Sequence, residues 1–312
     1  MNQLVTFVIC AYNEPELLQR AMESILKQTY RPLEIIVSDD NSPNLLEETA
    51  SKYKNISNVN IVYTRNNRNL RPYWNNHSTR RLIRGRFVMY MPHDDFLLDS
   101  AFVETSVKIM TSQENCHVVI ANSLLEDTKN LMMDDDTQEI RMINGNKFLM
   151  KNLWEKLHPS YSAVIFDNHK LLQKKYDSFT LGENEMKKMN LEPDEWFLSI
   201  VLCAEDSEVA ISGRPVSVRG NPANSFSKSE YWGAKWRECC FLPQYQIIKY
   251  FKQKNKNQEA KAFENMLEGK YSLPKINWQI LAYLNFELNA IKLMVWPILK
   301  AKYFIRTRGL NI

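Results

Sequence analysis

Two acidic clusters lie about fifty residues apart, Val37-Ser38-Asp39-Asp40-Asn41-Ser42 and Met91-Pro92-His93-Asp94-Asp95, and each follows an apolar run that reads as a strand. Carboxylates at the C-terminal ends of parallel strands stand where open α/β sheets bind ligands. The first pair can hold the polar edges of a nucleotide. The second can hold the divalent cation that neutralises a diphosphate. Together they outline a transferase acting on a nucleotide-sugar. A plainer use of the same residues is also sound, because Asp-Asn-Ser-Pro favours turns and N-caps, and Asp94-Asp95 can cap a helix ahead of Phe96-Leu97-Leu98.

The elements that must position these clusters alternate in the manner of βαβ units around a parallel sheet. Strands are expected over residues 4–10, 33–37, 59–64 and 87–91, with helices over 14–27, 45–53 and 73–83 between them. The first helix carries Leu17, Leu18, Ala21, Met22, Ile25 and Leu26 at three-to-four spacing. Both acidic clusters then fall on one edge of the sheet. Beyond Asp95 the alternation loosens. A helix is expected over 99–110 and strands over 117–122, 162–166, 209–212 and 216–219, with a further helix starting near Asp194. Asp134-Asp135-Asp136 has no strand before it and reads as a solvated loop.

Length and composition fit one large domain, residues 1–227, and a smaller helical region, 228–312, within the 312 residues. A hydrophobic content of 44% suffices for a real core. The net charge of +4 is modest and its 40 basic residues are spread along the chain, which argues against a nucleic-acid partner. Cys10, Cys116, Cys203, Cys239 and Cys240 show no metal-type spacing, and the sequence reading places the protein in a reducing cytoplasm, without a secretory signal.

Several stretches resemble the family 2 glycosyltransferases of GT-A fold, a nucleotide-binding mixed sheet flanked by helices. The chain opens Phe7-Val8-Ile9-Cys10-Ala11-Tyr12-Asn13-Glu14, like the family's strand and Tyr-Asn-Glu start. It continues with Ser24-Ile25-Leu26-Lys27-Gln28-Thr29-Tyr30 and Glu34-Ile35-Ile36-Val37 into Ser38-Asp39-Asp40. The resemblance is strong over 4–100, traceable to about 227, and general in nothing beyond. It implies an inverting, metal-dependent transfer from a nucleotide-sugar, normally a UDP-sugar, to a glycan or lipid-linked glycan, with Mn²⁺ or Mg²⁺ as cofactor.

Carried over residue by residue, Ala11, Tyr12, Asn13 and Glu14 would lie against the base and ribose, and Asp39 would accept a hydrogen bond from the base. Asp40 would brace the loop. The metal motif departs from the family's Asp-x-Asp, since Pro92 stands in the place of the first aspartate. Asp94 would hold the metal, with Asp95 as second ligand or ribose contact, and His93 as a nitrogen ligand, a second-shell group or a packing residue. The family's catalytic base sits on a downstream acidic motif, matched here by Glu192-Pro193-Asp194-Glu195-Trp196. Asp194 takes that position and Glu195 is the fallback; helix capping alone also accounts for both. Arg219 would approach the diphosphate or the acceptor cleft, or form a salt bridge. Asn221 replaces the family's histidine. Arg68 and Arg71 would contact phosphate and Asn75 the nucleotide side, unless that basic loop is only solvated.

Residues 276–305 read as an amphipathic helix with aromatic and basic edges, interrupted by Glu287, Lys292 and Pro297 and so a poor membrane span. Such a helix can lie in a membrane interface, on the inner face of the cytoplasmic membrane, or pack on the catalytic domain or a second subunit as a homo-oligomer. Two other functions fit parts of the pattern: an inactive nucleotide-sugar-binding or scaffolding subunit, and a nucleotidyltransferase, for which Ala11 to Arg20 lacks the glycine-rich phosphate loop.

Overall fold

β1 (Val5–Ala11), β2 (Leu33–Asp39), β3 (Val59–Arg65) and β4 (Phe87–Pro92) carry the apolar runs of the first ninety residues; β1, β2 and β4 are almost wholly buried and β3, at the edge, only partly. Strands with both faces covered read as continuous hydrophobic runs for this reason. They are joined by α1 (Pro15–Leu26), α2 (Glu47–Ser51) and α3 (Arg71–Thr79). All four are parallel, and the register pairs Ala11 with Asp39, Asp39 with Arg65, and Cys10 with Pro92. The two acidic clusters therefore emerge at the same sheet edge, as the alternation predicts.

The computed structural model describes residues 2–44, 46–133, 137, 139–151, 157, 159–174, 194–223, 225, 228 and 246–270, with the backbone alone at Glu195 and 266–270. After β4 come β5 (Phe96–Leu97), α4 (Phe102–Ser112), β6 (Cys116–Leu125), β7 (Arg141–Asn144), α5 (Gly145–Met150), β8 (Val164–Asp167), α6 (Asn168–Gln173), α7 (Glu195–Ala204), β9 (Glu208–Arg219) and α8 (Asn257–Lys270). The sheet order is β3-β2-β1-β4-β8-β6-β9-β5, with β7 also on β9. β8 runs antiparallel to β4 and β6, whereas β6 and β9 are parallel, so the sheet is mixed.

Two details differ from the sequence reading. The strands expected over 209–212 and 216–219 are one long strand, β9, whose register against β6 shifts as it passes Pro215. A bulge absorbs the Gly213-Arg214-Pro215 interruption that reads as a break in sequence. β7 is short and largely exposed, and so carries no period to find. The helix expected over 276–305, the Asp134–Asp136 run, and Cys239 and Cys240 lie outside the described residues.

Alternate residues of the parallel strands feed two cores. Phe7, Ile9, Ile35 and Val37 pack with Leu18, Met22 and Ile25 of α1 on one face. Val8, Ile36, Val88 and Tyr90 pack on the other, with Phe148, Phe197 and Val201. The second core also takes in Ile247, Ile248, Tyr250, Phe251 and Phe263. Thus the described part of the region beyond residue 228 shares its core with the sheet.

An ionic knot reinforces that join. Glu205, 2% exposed, follows α7 and is held by Lys174 at 2.8 Å, Lys256 at 2.7 Å and the Tyr250 hydroxyl. Burial pushes the Glu205 carboxyl up, but the hydrogen bonds from Lys174, Lys256 and Tyr250 outweigh it and leave it below its usual value. A depressed carboxyl contributes stability above its unfolded pKa of about 4.3 and loses it as pH falls through the folded value. Glu205→Gln is expected to cost about 3 kcal/mol at pH 7, and the difference from wild type should narrow by pH 4. Urea unfolding at both pH values checks this; an unchanged gap would show that the charge is not what holds the knot.

Candidate nucleotide and metal site

β1 ends at Ala11, and the next three residues turn sharply. Asn13 and Glu14 both have left-handed backbone, with φ of 54° and 58°. For Glu14 that conformation is strained, and such strain gathers at functional sites. The turn is held by the Asn13 N–H, which donates to Ser42 Oγ at 2.8 Å, and by the Asp40 N–H, which donates to the Ala11 carbonyl at 2.9 Å. Pro15 then starts α1. Tyr12 is 42% exposed, and Asn13 Oδ1 is shielded without a hydrogen-bond partner among the described residues. The four residues expected against base and ribose thus form one exposed-to-shielded lip at the sheet edge.

The two aspartates of the first cluster are buried and fully engaged. Asp39 accepts from the Ser42 N–H at 2.8 Å and Ser42 Oγ at 2.6 Å on one oxygen, and from the Tyr63 hydroxyl at 2.6 Å on the other, with Arg65 3.5 Å away. Asp39 is 0% exposed, so a base contact there requires a neighbouring group to shift aside. Asp40 accepts from Asn66 Nδ2 and from the Leu70 and Arg71 N–H groups at 2.7–2.9 Å. Its carboxyl is raised chiefly by burial. Asp40 is therefore a brace for the 66–71 loop.

That loop separates the basic residues. Arg68 is exposed, and Arg71 begins α3 with φ of 68°. Asn75 departs from the sequence reading, which set it on the nucleotide side. It is 1% exposed, accepts from Ser38 Oγ at 2.5 Å and Asn66 at 2.8 Å, and donates to the Ser38 carbonyl. An amide so engaged in the interior fixes the end of β2 and presents nothing to a ligand.

At the end of β4 the chain turns through His93, Asp94 and Asp95 into β5. His93 lies over the end of β1, its Nδ1 3.2 Å from the Cys10 carbonyl and its Nε2 3.7 Å from Glu14. That Nε2 is shielded and has no hydrogen bond among the described residues. Asp94 is partly exposed, and its carboxylate makes no hydrogen bond or ion pair among the described residues. Asp95 is 2% exposed and accepts from Ser162 Oγ at 2.7 Å and the Gly220 N–H at 3.0 Å. Burial and the adjacent Asp94 push its carboxyl up to about 7, against the hydrogen bonds from Ser162 and Gly220 and the charge of Arg219.

Hard divalent cations bind one or two protein carboxylates and complete their shell with phosphate oxygens and water. Among the described residues no three His, Cys, Asp or Glu side chains gather as a metal cage. The free carboxylate of Asp94 fits a cation shared with a bound diphosphate. Asp95, given as second ligand or ribose contact, instead has its oxygens directed at Ser162 and Gly220.

Several residues that hold this turn carry no sequence signal. Arg20 of α1 donates to the Asp94 carbonyl at 2.8 Å, pairs with Glu126 at 2.5 Å and lies 4.5 Å over the Phe96 ring. An Arg on a helix face reads as solvated. Arg219 ends β9 beside Asp95, its carbonyl accepting from the Glu126 N–H at 3.0 Å and its guanidinium making no hydrogen bond or ion pair among the described residues, and Asn221 donates to Asp127. Farther on, Asp194 caps α7, accepting from the Phe197 N–H at 3.0 Å and the Tyr161 hydroxyl at 3.4 Å. Capping is thus real at Asp194, and Glu195 opens the helix.

Comparison with known proteins adds three findings. A model of "Glycosyl transferase family 2" matches residues 6–166, half of the chain. The GalNAc(5)-diNAcBac-PP-undecaprenol beta-1,3-glucosyltransferase of Campylobacter jejuni is 27% identical over 191 residues, 59% of this chain and 60% of that one. The UDP-Glc:alpha-D-GlcNAc-diphosphoundecaprenol beta-1,3-glucosyltransferase WfaP of Escherichia coli is 27% identical over 122 residues, 37% of this chain and 47% of that one. The matches thus span about half to three-fifths of these relatives. Among solved structures, S. aureus TarS 1-349 in complex with UDP-GlcNAc is similar with a TM-score of 0.58 at 12% identity, covering 87% of this chain and 78% of that chain. That likeness concerns the fold, a mixed sheet flanked by helices of GT-A type.

Gly220 gives the site its test. A Cβ there would stand 2.3 Å from the Asp94 carbonyl oxygen and 2.9 Å from Asp94 Cβ. The Asp94 carbonyl is also fixed by Arg20 at 2.8 Å, so Gly220→Ala is expected to destabilise the protein by about 1–3 kcal/mol in urea unfolding. A change below about 0.5 kcal/mol would mean that the Asp94 turn yields freely.

Proposed function

This chain belongs to glycosyl transferase family 2, and on that premise we propose that it is an inverting, metal-dependent glycosyltransferase. Its donor is a UDP-sugar and its acceptor a hydroxyl of a lipid-linked glycan, in the synthesis of a cell-surface polysaccharide. The observation that carries this reading is Asp94, a carboxylate without a hydrogen bond or ion pair among the described residues, beside the strained Asn13–Glu14 turn at the end of parallel strands. The names of the Campylobacter and Escherichia relatives support a lipid diphosphate acceptor, and the UDP-GlcNAc bound in the TarS structure supports a uridine donor.

In this mechanism Ala11, Tyr12, Asn13 and Glu14 receive the base and ribose, with His93 beside Glu14. Asp94 would hold a cation, Mn²⁺ or Mg²⁺, whose charge would stabilise the diphosphate leaving group. Arg219 and the exposed Arg68 supply positive charge toward the phosphates. Asp194, or Glu195 beside it, takes the proton from the acceptor hydroxyl as that oxygen attacks the anomeric carbon. A single displacement inverts that centre. Acceptors of this class bring the protein to the inner membrane surface. Among the described residues no helix is long and apolar enough to cross a membrane.

Pro92 and Asn221, where the family carries aspartate and histidine, favour a second reading, a nucleotide-sugar-binding subunit without turnover. Calorimetric titration with UDP and GDP, with and without Mn²⁺, on wild type and Asp94→Ala separates the outcomes. Metal-dependent UDP binding that the substitution abolishes is expected; absence of binding in wild type would end the donor assignment. Binding without consumption of any UDP-sugar would select the second reading. For the base, Asp194→Asn or Glu195→Gln should lower turnover by about 10²-fold or more with UDP affinity intact. Wild-type turnover in both variants would place the base elsewhere.

A further inference from the structure

The turn that leads into β8 joins the two halves of the site. Tyr161 and Ser162 are consecutive: the Tyr161 hydroxyl donates to Asp194 at 3.4 Å, and Ser162 Oγ donates to Asp95 at 2.7 Å. Consecutive Cα atoms are about 3.8 Å apart, so one short turn ties the acidic cap of α7 to the metal motif. The Tyr161 ring stacks on Trp196, with centroids 4.4 Å apart and planes 17° from parallel. Each ring is partly buried against the core, with the remainder at the surface. The indole N–H of Trp196 is shielded from solvent and has no hydrogen-bond partner among the described residues. An unanswered buried donor is costly and calls for an explanation.

We propose that the Tyr161–Trp196 pair is the wall of the acceptor subsite, against which the terminal pyranose of the acceptor lies with its attacking hydroxyl at the acidic cap of α7. This inference rests on the glycosyl-transfer reading. A hydroxyl losing its proton to Asp194 or Glu195 must come within hydrogen-bond reach of that carboxylate. The sugar ring bearing it then lies within one side chain of Asp194, where Tyr161 and Trp196 stand. A pyranose has an apolar C–H face and a rim of hydroxyls. A rigid aromatic surface with polar tips matches both, burying the face and answering the rim. Admitting the sugar opens the shielded Trp196 N–H at the rim of the stack, where it donates to a ring hydroxyl.

The test uses saturation-transfer NMR on the full chain with methyl α-D-glucopyranoside, methyl β-D-galactopyranoside and methyl α-N-acetylglucosaminide as probes, with UDP and Mn²⁺ present. Transfer concentrated on the C–H protons of one ring face of at least one probe is expected in wild type. Trp196→Leu should reduce it at least about fivefold, and Tyr161→Leu likewise, whereas Tyr161→Phe, which keeps the stack, should retain it. No transfer to any probe in wild type, or undiminished transfer in both leucine variants, would overturn the subsite. UDP binding is recorded in parallel and should be unchanged in all variants. Loss of UDP and sugar binding together would assign the pair to the fold and overturn the proposal. Failure of wild type to bind UDP would instead sink the donor reading, and the sugar signal would still decide the subsite.

Discussion

A carboxylate removed from water must have its lone pairs answered, and this site is organised by that demand. Asp39, Asp40 and Asp95 are each exposed by 3% or less. Their partners are drawn from five separate stretches: Ser42 after β2, Tyr63 and Arg65 on β3, residues 66–71 before α3, Ser162 before β8, and Gly220 after β9. Each loop around the sheet edge is fixed because it must donate to an aspartate. Asp94 is left over, the one aspartate of the two clusters whose carboxylate makes no hydrogen bond or ion pair among the described residues.

The first half of this arrangement is legible in the chain. Parallel strands buried on both faces must be written in apolar residues, and α1 must show its stripe, so β1, α1, β2 and β4 stand out and carry the acidic clusters to one edge. What sequence does not convey is which aspartate faces inward. Asp39 and Asp40 are neighbours of identical chemistry, and only the positions of Tyr63, Asn66 and Leu70 distinguish their surroundings. Asn75 misleads for a related reason: an asparagine in a basic, polar stretch looks exposed, yet its burial is dictated by Ser38 across the strand end.

The second half is harder to read because its contacts are distant in sequence and small in chemistry. Gly220 meets Asp94 through the absence of a side chain, and Ser162 meets Asp95 through a single hydroxyl; neither residue type announces a partner. β9 passes a proline by a bulge, so its continuity shows only against β6. The aromatic pair is another case, since Tyr161 and Trp196 come from elements that in sequence share no motif.

The segment 175–193 begins at Lys174, fixed by Glu205 beyond the end of α7, and returns at Asp194, which caps the start of the same helix. Its two anchors are therefore separated by about 15 Å of a single ten-residue helix. α7 is thus a strut with the acidic cap at one end and the ionic knot at the other, so a displacement of the buried Glu205 knot is carried along one rigid rod to Asp194.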